Sequence, residues 1–197
     1  MKRYTLLLVL ALGTLALMAL EPPRNLTAIA GNGYVQLDWQ PPVVNGMNEI
    51  ACHDGAPFNG YVQLYEQGYG AIFDLSAYSG ATLSQLDFRH SSYGVSGTWA
   101  YKVHLINWTT QQSIAVVEGL NTTGNDTWEE GIDLGDYNAS DMVGVFIEPL
   151  GHSSDDAYPV MDCDATLDYT SYVIDLTNYD ILTPNGAIGD FLIDLWI

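Results

Sequence analysis

Six aspartates crowd two short stretches of this chain: Asp54 in the first, and Asp155, Asp156, Asp162, Asp164 and Asp168 in the second. The only two cysteines, Cys52 and Cys163, fall in the same stretches. Calcium takes about six to eight oxygen ligands, and clustered loop carboxylates can supply them, so Asp54, Asp155, Asp156, Asp162 and Asp164 form a candidate metal set. The competing reading is a solvated acidic surface, and no EF-hand spacing decides between the two. Two thiols without further thiols or grouped histidines make a poor metal site. In an oxidising compartment they pair, and a Cys52–Cys163 disulfide is the expectation. It would close a loop of roughly 110 residues, for which a chain-entropy model gives about 4–5 kcal/mol. It would also draw Asp54 towards Asp162 and Asp164.

The second chemistry is ring stacking. Tyr65, Tyr69, Trp99, Tyr101 and Trp108 could present flat faces to pyranose rings, or they could pack in a core. Trp108 is the leading platform candidate because it follows a strand-like run, in the polar stretch Asn107-Trp108-Thr109-Thr110. Trp39, Trp128 and Trp196 lie in alternating stretches and read as core. Catalysis has little support. No Gly-x-Ser-x-Gly elbow occurs, and His53, His90, His104 and His152 are scattered with no His-x-x-x-His pair. A glycosidase needs two carboxylates in distinct environments, and 24 acidic residues single out no pair. Five Asn-x-Ser/Thr triplets, at Asn25, Asn107, Asn121, Asn125 and Asn138, carry no weight in a chain this rich in Asn and Thr.

The compartment follows from the first twenty residues. Met1-Lys2-Arg3 precedes an apolar run from Leu6 to Leu20, which ends at Glu21-Pro22-Pro23, the layout of a secretory signal peptide. The run is short for a membrane span. Its removal takes two of the five basic residues and no acid, so the net charge of −19 becomes −21. A field of that sign repels phosphate backbones and anionic lipid, so no nucleic-acid partner and no membrane insertion are expected once the signal is gone. Such a field suits solubility and divalent cations. Disorder does not account for the charge, because 48% of the chain is hydrophobic and 12% aromatic.

These side chains must be held by strands. Thirteen Tyr, five Trp and 19 Gly suit half-buried sheets joined by tight turns, and nearly absent Lys leaves little to build surface helices from. Strand-like stretches fall near 61–66, 70–74, 83–89, 98–107, 113–118, 127–134, 142–148, 171–176 and 188–197, each bounded by Gly, Asn, Asp, Ser or Pro. Short strands at such spacing mean a sandwich or barrel. Upstream, Asn25 to Ala30 and Tyr34 to Trp39 alternate around Gly31-Asn32-Gly33, and Pro41-Pro42 ends that two-strand unit.

Pro22-Pro23-Arg24-Asn25-Leu26-Thr27-Ala28, followed by Val35-x-Leu37-x-Trp39-x-Pro41-Pro42, resembles the first two strands of a fibronectin type III domain over about 21 residues. Ile50-Ala51-Cys52-His53-Asp54-Gly55 resembles the opening of a jelly-roll module repeated in secreted bacterial surface proteins of the gingipain adhesin type. Asp74 to Leu83, Leu83 to Phe88, Thr98 to Asn107, Thr127 to Leu134, Met142 to Glu148 and Asp162-Cys163-Asp164 follow in that module's order. The resemblance implies an all-β, jelly-roll-like antiparallel β-sandwich over 47–197 behind a short fibronectin-type strand pair in 21–46, with 1–20 as signal. Many jelly-roll modules hold a structural calcium, which favours that ion here. The implied function is a secreted, non-catalytic binding or adhesion module. Its first-choice partner is a polysaccharide, or else a cell-surface protein. A structural spacer or assembly subunit is the alternative, and a glycoside hydrolase or lyase the third.

Overall fold

The computed structural model describes residues 24–31, 34–40, 48–54, 56–62, 66–92, 98–124, 126–150, 159–164, 170–183 and 189–197. Internal contacts divide the chain into Met1–Gly46 and Met47–Ile197. In the first unit β1 (Arg24–Gly31) and β2 (Tyr34–Gln40) form an antiparallel pair, with Gly31 opposite Tyr34 and Ala28 opposite Leu37. That register follows the alternation of the two runs. The signal segment at 1–20 lies outside the described residues, as do Tyr65, Asp155, Asp156 and Asp168.

The second unit is an all-β, jelly-roll-like sandwich of two antiparallel sheets. Its strands are β3 (Glu49–Ala51), β4 (Asn59–Val62), β5 (Gln67–Asp74), β6 (Thr82–Ser92), β7 (Ala100–Asn107), β8 (Gln112–Asn121), β9 (Thr127–Asn138), β10 (Met142–Leu150), β11 (Pro159–Cys163), β12 (Ser171–Asp175) and β13 (Ile193–Trp196). One sheet runs β12-β5-β10-β7-β8; the other runs β3-β13-β6-β11-β4, with β9 also paired to β6. One 3-10 turn, Ser76–Tyr78, is the sole helical element among the described residues.

Period-two alternation decides what lies between the sheets. Val143, Val145 and Ile147 on β10 face Leu86 and Phe88 on β6, and Ile193, Leu195 and Ile197 close the core from the C-terminus. Trp99 and Tyr101 pack with Phe88 at 6.3 and 5.1 Å between ring centroids. The last residue is pinned by a reciprocal pair, Asn48 N to Ile197 O at 2.8 Å and Ile197 N to Asn48 O at 3.0 Å. Gly70 has a steric reason: a Cβ there would come 1.9 Å from the Val145 carbonyl oxygen of the adjoining strand.

A second, smaller cluster lies on the opposite side of the five-stranded sheet. Ile106, Phe146 and Ile174 are fully buried there beneath Ile72, Trp108, Tyr172, Leu176 and Tyr179. The turn after β12 supplies the last two, held by Tyr179 N to Asp175 O at 2.7 Å.

Candidate functional site

The outer face of the six-stranded sheet is unusual in carrying buried acids. Alternation sends Ile193 and Leu195 inward, which leaves Asp194 and Trp196 of β13 on the other face. On β6, Leu86 and Phe88 face the core, so Gln85, Asp87 and Arg89 share the outer face. Trp128 of β9 stands directly across from Arg89. Asp87 is 8% exposed and accepts three donors: Gly131 N at 2.7 Å, Trp196 Nε1 at 2.8 Å and Gln85 Nε2 at 3.0 Å. A carboxylate so surrounded is fixed, and it fixes the Trp196 ring in turn. His53, just past β3, pairs Nε2 with Asp194 Oδ1 at 2.9 Å, and its ring lies 5.7 Å from that of Trp128. Both indoles, Trp128 and Trp196, are half-buried and held by a named partner.

Several polar atoms on this face make no hydrogen bond among the described residues. Arg89 Nε approaches Asp162 Oδ2 to 2.9 Å but off the N–H axis, and neither terminal guanidinium nitrogen is hydrogen-bonded among the described residues. Asp194 Oδ2 and Trp128 Nε1 likewise make no hydrogen bond there. Of these only Arg89 Nε is enclosed; His53 Nδ1, His90 Nδ1 and Trp99 Nε1 are the other enclosed atoms without a hydrogen bond among the described residues. The face therefore offers a guanidinium fork, a carboxylate oxygen and an indole N–H beside two oriented rings.

Next to it opens a cleft of about 370 Å³ between the edges of the two sheets, lined by Ile50, Cys52, His53 and Asp54 on one side and Ile72, Phe73, Asp74 and Thr170 on the other. His53 belongs to both places. The Ser76 hydroxyl and then its N–H hold the Asp74 carboxyl below the usual aspartate range.

Most of the residues expected to carry chemistry are used elsewhere. Tyr69, Trp99 and Tyr101 are 0%, 5% and 2% exposed and belong to the core, so they form no platform. The alternation of β5 and β7 turns them between the sheets. Burial, and then the Glu129 charge, pushes the Tyr101 hydroxyl well above the usual range. Trp108 is half-buried with its ring 5.6 Å from that of Phe146, as a cover for the smaller cluster. Trp128 and Trp196, expected in the core, stand instead on the outer face.

The disulfide is also corrected: Cys52 and Cys163 are both free. Cys163 sits opposite Phe191 on one flank of the C-terminal segment. The Cys52 Sγ lies against the Phe191 and Ile193 carbonyls, 3.7 and 3.8 Å away, on the segment's β3 flank. A strand between two cysteines separates them by roughly 10 Å, beyond the roughly 7 Å that a disulfide spans. Burial first, and then neighbouring aspartates, pushes each thiol up to about 12, which leaves it unreactive.

The expected approach of Asp54 to Asp164 occurs without any bridge, because Asp54 N donates to Asp164 Oδ2 at 2.9 Å. Asp190 N donates to Asp164 Oδ1 at 3.0 Å, while Asp162 turns to Arg89. Among the described residues no three His, Cys, Asp or Glu side chains converge as a metal-ligand group. Sequence reading also missed three long-range histidine–carboxylate pairs: His53–Asp194, His90–Glu129 at 2.7 Å and His104–Glu148 at 2.7 Å. Their sequence separations give no signal. No protein-family model, no curated protein and no solved structure matches the chain.

Proposed function

We propose that this chain is an exported, non-catalytic binding module that holds a carbohydrate on the outer face of its six-stranded sheet. The observation that carries this reading is the unpartnered set of Arg89 terminal nitrogens, Asp194 Oδ2 and Trp128 Nε1 beside the oriented Trp128 and Trp196 rings. Vicinal sugar hydroxyls each donate and accept, so a guanidinium and a carboxylate side by side satisfy both roles. The apolar face of a pyranose then covers an indole. Pre-ordering adds to this, since side chains already fixed by Asp87 and His53 lose little freedom on binding. The resemblance to the jelly-roll modules of gingipain-type surface proteins agrees with such a role, and a structural calcium would stabilise the loops rather than touch the ligand.

The test is binding of the purified mature protein to a broad glycan panel, with calcium and again with chelator. Selective binding that falls about tenfold or more in Arg89→Ala and in Trp128→Ala is the expected result, given the usual strength of hydrogen bonds to charged groups. Binding unchanged in both variants would overturn the placement, and no binding to any glycan would overturn the reading. A second reading, an assembly subunit, is favoured by β8. Its ten residues pair only with β7, so its other edge is open among the described strands.

A further inference from the structure

The carbohydrate face and the edge cleft are joined through His53, and their chemistry together narrows the ligand. Only Glu21 and Asp38 among the 24 acids precede residue 47, and only Arg89 and Lys102 among the five bases follow it. Residues 47–197 therefore hold 22 acids against two bases, a net −20. Lys102 is committed to Glu118 at 2.8 Å on the other sheet, and Arg89 already faces Asp162. The outer face thus holds three buried carboxylates, Asp87, Asp162 and Asp194, around one cation.

The cleft continues this trend. Among the described residues its lining contains no lysine or arginine, whereas Asp54 and Asp74 are exposed on opposite sides and Ile50, Ile72 and Phe73 give it apolar walls. The cleft is open to solvent, and such walls suit the carbon skeleton of a sugar laid along it. Asp194, 9% exposed, lies on the strand next to β3 and is tied to the cleft through His53, which lines it. A uronate or sulfated sugar would meet these carboxylates with a like charge. A protonated amine would pair with them.

We infer that the ligand is a glycan bearing free ammonium groups, an amino-sugar chain whose rings lie on the Trp128–Trp196 face while an ammonium enters the edge cleft between Asp54 and Asp74. This rests on the carbohydrate reading above and adds to it the charge of the ligand and a second contact region.

The experiment compares β-linked glucosamine oligomers with their fully N-acetylated counterparts of equal length, by calorimetry at pH 6 and low salt, on the mature protein. The deacetylated oligomer is expected to bind at least about fivefold more tightly. The double variant Asp54→Asn/Asp74→Asn should lose that preference while keeping the melting temperature and the residual affinity for the acetylated form. The control is Glu118→Gln/Asp180→Asn, which removes the same charge from exposed positions on β8 and in the turn after β12, away from the outer face of the six-stranded sheet, and should leave the preference intact. Equal loss in both double variants would assign the effect to the overall field and overturn the inference. Acetylated oligomers bound as tightly as deacetylated ones would also overturn it, with the carbohydrate reading left standing. No binding of either oligomer, together with none across the glycan panel, would fail the carbohydrate reading itself.

Discussion

Reduction of the native protein is the perturbation that most sharply separates the strand register from the pairing its two cysteines suggest. A Cys52–Cys163 disulfide would close a loop of roughly 110 residues and contribute about 4–5 kcal/mol. For a domain of this size each kcal/mol shifts the melting temperature by about 2–4 °C, so loss of such a bond would lower it by roughly 8–20 °C. The register forbids the bond, because the C-terminal segment passes between the two cysteines, with Phe191 opposite Cys163 and its carbonyl against the Cys52 sulfur. A melting temperature unchanged by a phosphine reductant is therefore expected, even for protein prepared under oxidising conditions. Two thiols should be titratable after unfolding in denaturant. Both should alkylate slowly in the folded state at pH 8, because burial holds each thiol near 12 and almost none is thiolate. A drop of about 10 °C on reduction, with no free thiol in the unreduced unfolded chain, would refute the placement of β3, β11 and the C-terminal strand together.

Gly70→Ala should destabilise by at least the upper end of the usual overpacking range, about 3 kcal/mol, since its Cβ would meet the Val145 carbonyl, and backbone cannot swing aside. Gly124→Ala, whose nearest contact would be 3.6 Å, should leave the chemical-denaturation midpoint unmoved and serves as the control. Trp108→Ala should cost about 2 kcal/mol by uncovering Phe146, and should leave glycan affinity unchanged in calorimetry. The Thr177 hydroxyl and then its N–H hold the Asp175 carboxyl below the usual range, so this turn's contribution is complete above the unfolded aspartate value of about 4. It is lost as pH falls through the lower folded value, and Thr177→Ala should move the carboxyl titration seen by NMR upward.

The strands were legible because their signal is local. The stretches near 83–89, 98–107, 127–134 and 142–148 reappear as β6, β7, β9 and β10, since period-two alternation and turn residues need no knowledge of partners. The two short strands that sequence reading passed over, Glu49–Ala51 and Pro159–Cys163, have little alternation of their own. They exist because the C-terminal segment and β6 present open edges to them. Asp162 and Cys163 consequently sit in a sheet rather than on a long loop, which removes the flexible bridge between the two cysteine regions.

Composition and alternation alone determined the fold class and the concentration of negative charge. They could not say which of two faces each strand turns inward, because alternation is symmetric until a second sheet covers one side. That is why Trp99 and Tyr101 were candidates for a platform and lie in the core, while Trp128 and Trp196 were assigned to the core and stand outside. The tertiary pairing of β13 and β9 with β6 made that choice. It brought Asp87 to Trp196 across 109 residues of sequence and His53 to Asp194 across 141, separations at which only the folded chain makes neighbours.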